Sequence, residues 1–120
     1  MNNLQNLKIW QLSFDLAIDV FAIAKTFPKE EKYEMASQIR RCSSSIPANI
    51  AEGAGRNSDK EFLHFLSIAN GSCFELETFI LLAHKVEYID EKTKTSVIDK
   101  NNLVMRMNNK LQASIKAKLK

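Results

Sequence analysis

At 120 residues the chain has the length of one domain, residues 1–120, enough to bury a core without disulfide or metal staples. Only three glycines and two prolines interrupt it, 26% of the residues are charged, and the apolar residues recur at helical rather than alternating spacing, which excludes a β-rich fold. The net charge of +3 is uneven: residues 1–100 hold 12 Lys and Arg against 14 Asp and Glu, whereas the last twenty hold Arg106, Lys110, Lys116, Lys118 and Lys120 and no acid.

The opening MNNLQNLKIW has no basic stretch followed by a small-residue cleavage site, and no apolar run is expected to reach transmembrane length, so the expected compartment is the cytoplasm and no membrane partner is expected. Periodicity predicts a first helix from about Leu7 to Thr26. Leu7, Trp10, Phe14, Ala17, Phe21 and Ala24 keep one helical stripe, and Ile9, Leu12, Leu16, Val20, Ile23 and Phe27 keep a second, roughly 130° further round. One intramolecular seam does not need both. The second stripe is expected to meet another subunit, which makes the chain itself a partner and a homo-oligomer the expected state.

Phe27-Pro28 ends this helix, because the residue before proline is pushed out of the helical region. A second helix is expected to start near Lys29 to Glu31. Its stripe of Met35, Ile39, Cys42, Ile46, Asn49 and Gly53 passes through Pro47 in phase, which favours one helix kinked near Pro47 over two separate ones. The proline strips the Ser43 carbonyl of its donor, and the hydroxyls of Ser43, Ser44 and Ser45 are candidates to meet freed carbonyls. Asn49 is expected to be a buried amide that fixes register. Beside the stripe, Gln38, Arg41, Ser45, Glu52 and Arg56 form a polar flank, with Glu52 and Arg56 spaced to pair.

Ser58 and Glu61 form a capping box for a third helix. The seam of that helix, Phe62, Leu66, Ala69, Cys73, Leu76, Ile80 and Ala83, has the spacing of near-parallel bundle packing, and its end is expected around Tyr88. Asp90 can cap a fourth helix with a thinner stripe of Val97, Val104, Met107, Leu111, Ile115 and Leu119. The fold class is therefore all-α: an up-and-down antiparallel four-helix bundle. Cys42 and Cys73 fall on the stripes and read as buried, reduced thiols.

Two catalytic readings fail on spacing. Glu61-Phe62-Leu63-His64 is one E-x-x-H unit, whereas a di-iron bundle needs two such units and two further glutamates, so no metal and no cofactor are expected. A ribonuclease of the HEPN class, a minor alternative, places histidine four to six residues beyond an arginine and a polar residue. Here seven residues separate Arg56 from His64, so no enzyme is expected. The candidate nucleic-acid contacts are instead Arg40, Arg41, Arg56, Arg106, Lys110, Lys116, Lys118 and Lys120. With no exposed aromatic platform expected, contact should be weak and sequence-tolerant.

The run from Arg40 to Gly53, with Trp10, Phe27-Pro28, Arg56 to Ser72 and Glu75 to Glu77, closely resembles the signature of the "four helix bundle protein" family. Members of that family are encoded in intervening sequences of bacterial large-subunit ribosomal RNA genes. The chain is also similar to the accessory variability proteins of diversity-generating retroelements. The resemblance implies homopentameric rings, RNA or DNA as a partner, or a protein partner such as a reverse transcriptase. From their placement on the second helix, Gln38, Arg41, Ser45, Glu52 and Arg56, with Pro47, Asn49 and Gly53, are expected to form a structural and interface motif.

Overall fold

The computed structural model describes residues 4–31 and 33–119 and contains four α-helices: α1 (Lys8–Ala24), α2 (Met35–Ala54), α3 (Asp59–Lys85) and α4 (Glu91–Lys118). Short 3-10 turns at Leu4–Asn6 and Lys29–Glu31 precede α1 and α2. Connections this short make sequence neighbours antiparallel. α1 packs on α2 and α4, and so does α3, which leaves α2 and α4 on a diagonal of a rod 49 × 21 × 20 Å. The described residues form no strand.

Each helix contributes one stripe to a continuous core: Leu16 and Val20 from α1, Ile39, Ile46 and Ile50 from α2, Leu66, Leu76 and Ile80 from α3, Val97 and Val104 from α4. By length and composition α3, with a window of mean hydropathy 1.3, is apolar enough to cross a membrane, contrary to the expectation that no run would be. Its apolar seam is the wall of this core.

The capping box forms as expected: Glu61 N–H donates to Ser58 Oγ at 3.1 Å, and the Ser58 hydroxyl donates to the Glu61 carboxylate at 3.2 Å. Asp90 Oδ1 accepts from Thr93 N–H at 2.8 Å, and these bonds to its ionised form hold the Asp90 carboxyl below its ordinary pKa. α2 is one helix through Pro47.

The helix ends and stripes depart from expectation in five places. α2 begins at Met35 rather than near Lys29, because the chain first closes a 3-10 turn in which Glu31 N–H donates to Pro28 O at 2.9 Å, while Phe27 is buried against the Tyr88 ring. α3 stops at Lys85 rather than Tyr88, because Glu87 turns left-handed at φ 67° and Tyr88 N–H reaches back to Ala83 O at 2.8 Å, a Schellman closure. Ile50, not Asn49, occupies the core position on α2. Asn49 is half-buried and its amide donates to Ser45 O of its own helix at 2.8 Å. The three serine hydroxyls each bond the carbonyl three residues back, those of Arg40, Arg41 and Cys42, and not that of Ser43.

The fifth departure is on α4, where Asn101 and Asn108 are fully buried at heptad positions and Leu119 is exposed. Each amide donates at 2.9 Å to an α3 carbonyl, Asn101 to Cys73 and Asn108 to Leu66. The pair fixes the register of α4 on α3, the role expected of Asn49.

Candidate nucleic-acid interface and apolar faces

The polar flank of α2 lies along its seam with α3. Ser45 Oγ and Ser72 Oγ are 2.6 Å apart across the two helices, and Gln38 borders a cleft with Met35 and Phe79. At the lower end Arg56 bonds Glu52 at 2.8 Å and Glu61 at 3.4 Å, and its guanidinium lies 5.0 Å from the centre of the Phe65 ring. The pairs are exposed, so each contributes a few tenths of a kcal/mol. The fork is nevertheless committed on both sides. His64 packs edge-on against the same ring, at 5.2 Å, and no hydrogen bond links it to Arg56.

Gly53 is part of this seam. A Cβ there would stand 2.8 Å from Phe65 Cβ and 2.9 Å from Phe62 Cδ1, so the residue must be glycine for α2 and α3 to approach as they do.

The candidate cations do not form one patch on a single chain. Arg40 is half-buried on the α1 side of α2 and already engaged, whereas Arg41, about 100° further round, is exposed. Arg106, Lys110 and Lys116 are exposed on α4, diagonally across the bundle from the α2 arginines, and make no described ion pair. Lys118 approaches Asp59 at 3.9 Å. Lys120 lies outside the described residues.

Both cysteines are buried, and desolvation pushes each thiol up to about 12, with the Glu75 carboxylate adding to the effect on Cys42. They are neutral and unreactive at physiological pH. Among the described residues no three of His, Cys, Asp and Glu are grouped as a metal site would require.

The two stripes of α1 are the reverse of the expected assignment. The stripe of Ile9, Leu16, Val20 and Phe27 is the core, so Leu16 cannot meet another subunit. Of the other stripe Ala17 and Ala24 are buried, but its phenylalanines turn outward: Phe14 is 44% exposed, Ile18, just beside it, 54%, and Phe21 41%. With Trp10, stacked on Phe14 at 4.9 Å, they wall a groove of about 710 Å³ whose floor is the small α2 face of Ser44, Pro47, Ala48 and Ala51. A second apolar edge, Ile68, Leu82 and Val86, runs along the opposite side of α2 on α3. Sequence periodicity flagged the wide arc on α1 but carries no information on which stripe the other three helices cover.

The expectation that no aromatic platform is exposed is also corrected. Phe74 on α3 is 62% exposed. Nothing in its neighbours' composition marks it, because it stands next to the buried Cys73 on an apolar helix.

A family model for the 23S rRNA-intervening sequence protein matches residues 5–110. The chain belongs to that family. Its fold is similar to a crystal structure of a protein of unknown function from the S23 ribosomal protein family of Bacteroides thetaiotaomicron VPI-5482. The two share a TM-score of 0.81 and 26% identity over 87% of this chain and 97% of the other. No curated protein matches the chain.

Proposed function

We propose that this protein is a non-catalytic binder of RNA or DNA that works as a closed homo-oligomer in the cytoplasm. The observation that supports nucleic-acid contact is the cationic α4: Arg106, Lys110 and Lys116 are exposed, and no acid follows Asp99 to offset them. The family's association with ribosomal RNA genes points the same way.

The apolar groove between α1 and α2 supports assembly. Phe14, Ile18 and Phe21 form one face, and Ile68, Leu82 and Val86 form a different one on the other side of α2, so one chain's face can meet its neighbour's other face. A contact between unlike patches is heterologous and closes into a ring when its rotation permits. A pentamer of chains at +3 gathers about +15 and sets five α4 surfaces side by side. In the ring, cations that are diagonal within one chain can converge between neighbours.

The test is a filter-binding titration with a structured RNA at two salt concentrations, comparing the natural chain with R106Q/K110Q/K116Q. These side chains are exposed, so the variant keeps its core. Binding should weaken steeply with salt, and the variant should lose a slope of about 0.7–0.9 for each phosphate contact removed. Absence of binding at low salt by the natural oligomer removes the reading and leaves a protein-interaction scaffold.

A further inference from the structure

Among the described residues Phe74 is the most exposed aromatic of the four helices. Burying a phenyl ring stabilises by about 1.5–3 kcal/mol, so a helix that presents one to water forgoes a contribution that neighbouring positions on α3 collect. Phe74 lies outside both apolar faces already assigned to assembly. Asn70 precedes it by one turn on the same flank, the one that borders α4.

The border is fixed by hydrogen bonds. Asn70 Nδ2 donates to Asn109 Oδ1 at 2.9 Å, which orients the Asn109 amide and leaves its exposed Nδ2 as a donor with no described partner. Asn101 and Asn108, bonded to Cys73 and Leu66 carbonyls, set the antiparallel register that places the α4 turn of Asn102 to Arg106 beside Phe74. Below that level α4 carries Arg106 toward this flank, then Lys110 on its outward face, then Lys116 again toward the flank. Charge between Arg106 and Lys116 is positive: α4 has no acid after Asp99, and of the α3 acids Asp59 stands at the far end beside Lys118, Glu61 is tied to Arg56 on the α2 side and Glu75 acts on Cys42 of α2. Glu77 follows Phe74 by one turn on α3 and Asp99 precedes Asn102 by one turn on α4, so both stand at or above the level of the ring, away from Lys110 and Lys116.

An open π-face, a free amide donor and a row of unpaired cations over the next few turns are the parts of a single-strand site: stacking for a base, a hydrogen bond for a base edge or sugar, and counter-charges for the phosphates that follow. We infer that the α3/α4 flank from Phe74 to Lys116 binds single-stranded RNA, with one unpaired base stacked on Phe74 and the backbone running past Arg106 and Lys110. RNA is the nucleic acid that offers unpaired bases in loops and ends, and a paired base has no free face to give. The inference rests on the nucleic-acid reading above and adds strand state and residue roles to it.

The experiment compares a labelled oligouridine with a blunt RNA duplex, using the full chain, F74A, F74W and R106Q. F74A should weaken oligouridine binding about 5- to 100-fold and leave duplex binding unchanged. F74W should restore it, and R106Q should weaken both probes. Phe74 is exposed enough that unchanged circular dichroism is expected for all variants. Oligouridine binding insensitive to F74A, or an equal loss on both probes, overturns the stacking site while the nucleic-acid reading stands. Failure of the natural chain to bind either probe at low salt overturns both.

Discussion

Gly53 and Gly71 both lie within long helices, where glycine costs about 1 kcal/mol relative to alanine, yet their surroundings give opposite expectations. Nothing approaches within 4 Å of a Cβ at Gly71, so G71A should stabilise the protein by about 1 kcal/mol in urea unfolding. At Gly53 the added methyl meets Phe65 Cβ, close to its backbone, at 2.8 Å. G53A should therefore destabilise by about 1–3 kcal/mol as α2 is pushed off α3. The two thiols give a test with pH. Their folded pKa values, about 12, exceed the value of 9.0 expected without the fold, so above pH 9 the folded state holds protons that the unfolded state has released. Stability is fully present below pH 9 and falls as pH rises toward 12, by up to about 1.4 kcal/mol per pH unit for each thiol. The double variant C42A/C73A should show a shallower alkaline decline than the natural chain, measured by urea midpoint between pH 8 and 11.

At the scale of elements, each helix is bounded by a local device. The ends that sequence placed well are those where a side chain does the capping: Ser58 with Glu61, and Asp90 with Thr93. The ends it misplaced are backbone devices. Glu87 takes a left-handed conformation that favours glycine, and no side chain announces it. E87G should raise stability by about 1 kcal/mol without moving the end of α3, as read by thermal unfolding. The same distinction separates Asn49 from Asn101 and Asn108. All three are amides at apolar spacing, and whether an amide is buried depends on the neighbouring helix: α3 carbonyls stand opposite Asn101 and Asn108, whereas Asn49 finds the Ser45 carbonyl of its own turn.

At the scale of the whole molecule, the bundle resolves the double stripe of α1 into one buried and one outward face. A charge on the outward face should leave the bundle intact and remove assembly. I18D should run as a helical monomer in light scattering, where the natural chain should run as an oligomer. L16D should instead unfold the bundle, because Leu16 is fully buried and a carboxylate there has no partner. An I18D chain of unchanged oligomeric mass would show that the α1/α2 groove is not the subunit contact.

The sequence by itself determined the helical class, the number of helices, the seam of α3 and two of the caps, because these follow from periodicity and from hydrogen bonds between residues three or four apart. It also carried enough of the Arg40 to Ser72 run to identify the family. Only the tertiary structure decided which α1 stripe is core, that Asn101 and Asn108 lock α4 to α3, that the α2 and α4 cations are diagonal within one chain, and that Phe74 is exposed. Each of these depends on which faces other helices cover, and coverage is a property of the packed bundle that no helix encodes alone.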